Sequence, residues 1–290
     1  MTPQVGGEEL SLAAACWHAV VLGVVQGLTE FLPISSSAHL KVVPVLLHWG
    51  DPGVAFTAVI QLGSIVAVIA YFRSDLQSVL AGVSRAVRNG SWSDPSARLG
   101  VAIALGTLPI ILVGLLVKKF VPDYDHSVLR SITSIGIVSI VMSLLLAVSE
   151  LIGARRKQLE AVRPIDGILV GLAQALAIVP GVSRSGSTLT ASLFDGWQRA
   201  SAARFSFLLG IPAITLAGLV ELKDAFASPL QGGWIPMLLG VVVATIVSWL
   251  AIAWLLRFLR EHSTWVFVGY RLLFGLALLI WFRQLDVPVP

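Results

Sequence analysis

Of the 290 residues, 56% are hydrophobic and only 12% are charged, and the mean hydropathy is +0.87. Soluble domains carry about 25% charged residues, so this composition excludes a single water-soluble core and reads as an all-α polytopic membrane protein. The net charge of +4 does not argue for nucleic acid, because Lys and Arg fall in short loops beside apolar stretches. The single Cys16 excludes an internal disulfide and a multi-cysteine metal site.

In chain order, the opening MTPQVGGEEL is acidic and lacks the basic start of a signal peptide, so it reads as part of the mature protein. A span needs about 20 mostly apolar residues. Six stretches qualify as full transmembrane helices, at approximately 54–72, 99–117, 131–152, 205–221, 234–256 and 265–282. Two further apolar regions, 11–48 and 165–197, are interrupted by PISSS after Leu32 and by PGVSRS after Val179. Proline removes a backbone donor and breaks a helix, and freed backbone groups in hydrocarbon need protein or water partners. Both regions therefore read as re-entrant helical hairpins. Segment 73–98 is too polar to span; the spacing of Leu76, Val79, Leu80, Val83 and Val87 suits a helix on the membrane surface, with a connecting loop as the alternative.

Loop charge sets the orientation. Segments 73–98, 153–164, 197–204 and 257–263 hold twelve Lys/Arg against six on the other side. The basic group belongs in the cytoplasm, which places both termini outside and makes the two hairpins enter from opposite faces.

The two interrupted regions also resemble each other. Pro33 and Pro180 are 147 residues apart, as are Gly63 and Gly210, and at that offset Ser36 meets Ser183. Gln26 and Gln174 are 148 apart, which calls for a one-residue gap. With opposite insertion, this reads as an inverted-topology repeat of halves approximately 11–152 and 165–282 within one membrane-embedded domain, 1–290. Such repeats bring broken helices together at a polar site near the midplane.

Ionisable groups in a membrane cost on the order of 2.5–3.5 kcal/mol on insertion scales and are functional candidates by default. Gln26 and Glu30, four apart, share a helix face; so do Ser35 and His39 after the proline, with Ser36 three residues before His39. In the second region Ser183 and Ser187 share a face, as do Arg184 and Thr188. Two helices starting at such turns offer amides and dipoles to an anion. Arg184 adds a planar fork suited to phosphate oxygens. Glu30 and His39 can move protons, and Ser36 can act as a nucleophile beside a base. The plainer readings are helix capping for Ser35 and Ser37, an interhelical pair for Glu30, packing for His39 and a structural ion pair for Arg184. The set suits phosphoryl transfer better than ion coordination, and no spacing such as H-E-x-x-H is present.

QGLTEFLPISSSAH (26–39) resembles the (E/Q)-x-x-x-E motif and following Pro–Ser–His segment of the undecaprenyl pyrophosphate phosphatases of the bacitracin-resistance type. PGVSRSGST (180–188) matches their P-G-x-S-R-S-x-x-T motif, and FTAVIQLGSIVAV (56–68) is similar to a third family segment. The resemblance covers essentially the whole chain. It implies a bacterial inner (plasma) membrane enzyme that hydrolyses undecaprenyl pyrophosphate to undecaprenyl phosphate and inorganic phosphate, recycling the cell-wall carrier lipid and conferring bacitracin resistance. Glu30, Ser36, His39 and Arg184 match the catalytic positions; Ser183 and Thr188 match phosphate-contacting ones, and Gln26, Ser35, Ser37, Ser185 and Ser187 join them as candidate substrate contacts. Ser37-Ala38 stands where members often have Thr-Gly. The family is often assisted by a divalent cation; with Gln26 in place of a carboxylate, any Mg²⁺ or Ca²⁺ is expected mainly on Glu30 and the substrate. The expected partners are the polyprenyl pyrophosphate and the bilayer, with a homodimer left open and no nucleic acid. A carrier or flippase of a polyprenyl phosphate is the competing reading, because an inverted repeat with a midplane site suits transport equally well.

Overall fold

A computed structural model describes residues 11–49, 54–121, 124, 127–226 and 233–281, without the side chains of 54–55 and 221–226. The readings of the N-terminal ten residues and of part of the 222–233 loop lie outside the described residues. Eleven α-helices account for most of what is described: α1 (Leu12–Phe31), α2 (Ser36–Leu46), α3 (Val54–Tyr71), α4 (Arg73–Asn89), α5 (Pro95–Phe120), α6 (Ile132–Ile152), α7 (Pro164–Ala175), α8 (Arg184–Phe194), α9 (Arg199–Phe226), α10 (Trp234–Glu261) and α11 (Trp265–Trp281). No strand occurs among the described residues, only an isolated bridge between Lys157 and Trp197.

Local chemistry sets the helix limits. Ser11 accepts from Ala14 N at the start of α1, Ser131 caps α6, and Asp94 caps α5 immediately ahead of Pro95. The Arg85 guanidinium, 2.7 Å from Asp94, holds that carboxyl below the usual carboxylate range. Gly90 closes α4 in the left-handed conformation, φ 68°.

Among the described residues, five helices are long and apolar enough to cross a membrane: Leu12–Phe31, Pro95–Phe120, Ile132–Ile152, Arg199–Val220 and Trp234–Glu261; α3 and α4 together, bent by 66°, make a sixth candidate. α1 is an apolar helix of 20 residues, about 30 Å at 1.5 Å per residue, and the break at Pro33 follows its end. The 265–282 stretch forms a helix over Trp265–Trp281, up to the limit of the described residues. Segment 73–98 is a helix rather than a loop over α4; Val79, Gly82 and Ala86 are buried, Leu80 and Val87 exposed. Large apolar side chains stand exposed along α5 (Leu108, Leu112, Leu115), α6 (Leu144, Leu151) and α10 (Ile246, Leu250), as on the lipid-facing side of a membrane helix.

Small residues let the helices approach closely. α1 lies along α10, α7 along α5, and α6 along α11. A Cβ on Gly27 would lie 2.7 Å from the Val247 Cβ, and one on Gly275 2.7 Å from the Gly136 carbonyl. A Cβ on Gly167 would collide with the Ala102 backbone.

The two breaks have the same construction. α2 and α8 each contain 11 residues and start 148 positions apart. The residue before each is a serine with positive φ, Ser35 at 79° and Ser183 at 66°. Each of these serines shares a 3.2 Å hydroxyl contact with the serine two residues on, Ser37 or Ser185. The geometric register is therefore 148, the same as Gln26 to Gln174. Ser35, not Ser36, is the counterpart of Ser183, and Ser36 is the counterpart of Arg184. The prolines, 147 apart, sit one residue out of step within their turns.

Candidate active site

The first turn of α2 and the first turn of α8 meet at the C-terminal end of α1. Phe31 and Ile34 bury themselves in the core with Leu189, Leu193, Phe207 and Leu208, so apolar packing from both halves brings the polar turns together. Glu30 lies at the centre. Its Oε2 accepts from Ser36 Oγ at 2.7 Å and its Oε1 from Arg184 Nη2 at 3.1 Å. Ser36 and Arg184 each take the first position of their helix, where side chains point back past the N-terminus. The ion pair is 12% exposed at Arg184 and 9% at Glu30, with Ser36 half-buried and Ser37 exposed, so the cluster opens on one side.

Behind Glu30, Gln26 Nε2 donates to Glu30 Oε2 at 3.2 Å and to Ser64 Oγ of α3 at 3.2 Å; Ser64 in turn is 2.9 Å from Ser248 of α10. An ionised carboxylate only accepts, which fixes the amide with its NH₂ group toward Glu30. Arg184 keeps its Nη1 buried with no partner among the described residues. Gly210 of α9 makes room for that guanidinium, and a Cβ there would collide with it.

The other hydroxyls hold the turns. Ser183 caps the Gly186 amide at 3.1 Å; Ser185 donates to the Glu30 and Leu32 carbonyls at 3.3 and 3.0 Å. Ser187 and Thr188 donate to the Arg184 carbonyl at 3.0 and 2.8 Å, and Thr188 also meets Ser206. By contrast, the amides of the first turn of α2 have no side-chain cap, which leaves them for an anion. His39 bonds to the turn itself and to α11. Its Nδ1 lies 2.7 Å from the Ser35 carbonyl, to which it can only donate, so the neutral ring accepts at Nε2 from the Tyr270 hydroxyl at 2.6 Å. It also stacks on Phe274, with ring centroids 4.4 Å apart.

Phosphoryl transfer needs a nucleophile, a base beside it and a cation for the equatorial oxygens. A hydroxyl, a carboxylate and a guanidinium, the residue types suited to those roles, meet here from chain positions as far apart as 30 and 184. Comparison with known proteins is decisive for the family: residues 19–277 match the family described as Bacitracin resistance protein BacA. The chain belongs to this family. Among similar proteins, the Undecaprenyl-diphosphatase of Synechococcus sp. (strain RCC307) is 71% identical over 271 residues, which are 93% of this chain and 95% of that protein. The Undecaprenyl-diphosphatase of Parasynechococcus marenigrum (strain WH8102) is 68% identical over 273 residues, 94% and 95% of the two chains. That of Prochlorococcus marinus (strain MIT 9313) is 67% identical over 270 residues, 93% and 90%.

Within this family site, sequence reasoning missed Ser64, Ser248, Tyr270 and Arg271. The two serines carry no signal in so apolar a chain. Arg271 does: it is a lone cation within the apolar 265–282 stretch and answers to the same rule that singled out Glu30 and Arg184.

Proposed function

We infer that this chain is a membrane undecaprenyl-diphosphatase, releasing inorganic phosphate from undecaprenyl pyrophosphate and leaving undecaprenyl phosphate. The observation that carries the mechanism is the shared carboxylate: one oxygen of Glu30 holds the Ser36 proton at 2.7 Å and the other holds Arg184 at 3.1 Å. Ser36 Oγ attacks the terminal phosphorus as its proton passes to Glu30 and on to the leaving undecaprenyl phosphate. A water then gives its proton to Glu30 as it cleaves the phosphoserine to inorganic phosphate; where Ser36 only holds that water, the water attacks the terminal phosphorus directly. The phosphoanhydride bond breaks and the electron pair leaves on the undecaprenyl phosphate oxygen. Arg184, freed of its carboxylate partner as Glu30 takes the proton, turns its guanidinium to the phosphoryl oxygens, while the uncapped amides of α2 take the rest of the developing charge. His39 acts on this chemistry through the Ser35 carbonyl rather than by direct proton transfer.

A protein-held divalent cation does not fit these residues. Glu30 is the one carboxylate of the cluster and both its oxygens are engaged by donors, one of them the amide of Gln26. Among the described residues no group of three His, Cys, Asp or Glu is placed to hold a metal. No step is routed through one.

The same proposal places the chain in the bacterial inner membrane, with the basic loops in the cytoplasm. Here α1–α2 and α7–α8 are re-entrant hairpins of an inverted repeat. Support comes from the equal turns and from the crossed packing, in which α1 of the first half lies on α10 of the second and α7 of the second lies on α5 of the first. The relatives' name favours hydrolysis over transport.

The test is phosphate release from undecaprenyl pyrophosphate by the purified protein in detergent, where no membrane sides exist. Turnover by the wild type with loss in Ser36→Ala and Arg184→Ala supports the assignment. Full release from either variant rejects it.

A further inference from the structure

Arg271 of α11 lies 1% exposed between the two broken helices. Its Nη1 donates to the Pro33 carbonyl at 3.1 Å, in the first turn. Its Nη2 donates to the Gly181 and Val182 carbonyls at 2.7 and 3.1 Å, in the second. No carboxylate among the described residues pairs with it, and its Nε is buried without a partner. Gly186, in the first turn of α8, admits the guanidinium: a Cβ there would stand 2.7 Å from Nη1.

Such an arrangement is an expensive way to join two loops. A buried cation without a counter-ion costs far more than a neutral amide that could make similar bonds to carbonyls. Two features of the site give the charge a use. First, one rigid fork fixes both turns against each other, and these turns lead directly into Ser36 and Arg184. Second, the carbonyls of Pro33, Gly181 and Val182 are drawn toward Arg271. Their partial negative charge is thereby held on a cation beside a site meant for an anion. Arg184 cannot perform this role, because its charge is taken by Glu30.

We propose that Arg271 is a positioning residue of the phosphatase: its fork locks the two turns in register so that Ser36 and Arg184 face one phosphoryl group. This rests on the undecaprenyl-diphosphatase reading. Arg271→Lys keeps the charge but reaches only one turn, and a misplacement on the order of 1 Å can cost about 100-fold in rate. The expected result for Arg271→Lys is a kcat lowered about 100-fold, with KM for undecaprenyl pyrophosphate within about threefold of wild type, the signature of lost transition-state alignment. Amide hydrogen exchange should rise in residues 31–36 and 179–184 together, and not along α5 or α10.

Gly186→Ala is the second variant, displacing Nη1 without removing the charge, and it decides the matter if Arg271→Lys does not accumulate. It should lower kcat in the same way. Wild-type kcat in either variant overturns the proposal. So does a loss of activity accompanied by exchange rising evenly over all helices, the mark of a merely structural role. Wild-type protein that releases no phosphate rejects the phosphatase reading; active wild type with active Arg271 variants rejects this inference alone.

Discussion

Replacing Glu30 by Gln preserves shape and removes charge, and the site predicts two separable consequences. The first is catalytic. Ser36 Oγ has its 2.7 Å contact to Glu30 Oε2 as the base within reach, and a neutral amide cannot take the proton. Loss of a positioned general base lowers kcat by about 100- to 10,000-fold, or about 3–5 kcal/mol on the barrier. The second is structural. Arg184, only 12% exposed, loses its carboxylate partner at 3.1 Å. Breaking a fully buried pair costs about 3–5 kcal/mol; partial exposure on the open side should hold the loss to about 2 kcal/mol. In Glu30→Gln/Arg184→Met the unpaired charge disappears, so the thermal midpoint in detergent should recover most of that loss while phosphate release stays at the level of the weaker single variant. Phosphate release and thermal melting of the four proteins give the complete cycle. A double variant no more stable than Glu30→Gln, or a Glu30→Gln enzyme with wild-type kcat, would refute the shared-carboxylate reasoning.

Further outcomes follow from single contacts. Gly210→Ala drives a methyl group into the Arg184 guanidinium; because the obstructed atoms end a flexible side chain, the melting point should change little while kcat falls about 100-fold, a displacement effect. Ser248→Ala strands Ser64 in the buried Gln26 network and should cost about 1–3 kcal/mol by thermal melting, with a smaller change in kcat than Glu30→Gln. His39→Asn keeps a donor for the Ser35 carbonyl, so it should retain more phosphate release than His39→Ala. Equal loss in the two would give the ring itself a direct role. Metal dependence is the last point: with Gln26 offering its NH₂ to Glu30, wild-type turnover should persist in chelator, measured against metal add-back.

Much of this protein was determined locally and could be read from one dimension. Composition forces a helical membrane protein, since hydrocarbon satisfies no backbone polar group and a helix satisfies its own. Pro33 and Pro180 mark the breaks, and a carboxylate, a cation and hydroxyls in apolar surroundings mark the chemistry. Even the pairing of two polar turns was legible, because both turns need serine-rich N-termini. The details that depend on three dimensions were not. The likeness of the two turns at a spacing of 148 shows only in the helix starts and the positive φ of Ser35 and Ser183, which a proline match at 147 concealed. Periodicity placed His39 on the face of Ser35 yet could not tell that its ring would meet the Tyr270 hydroxyl, 231 residues later. Ser64 and Ser248 become a network only when α3 and α10 cross behind Gln26. Arg271 acquires its meaning only when one guanidinium reaches carbonyls near residues 33 and 181 at once. Sequence fixes which groups a membrane segment must carry; packing of distant helices decides which of their lone pairs and protons meet.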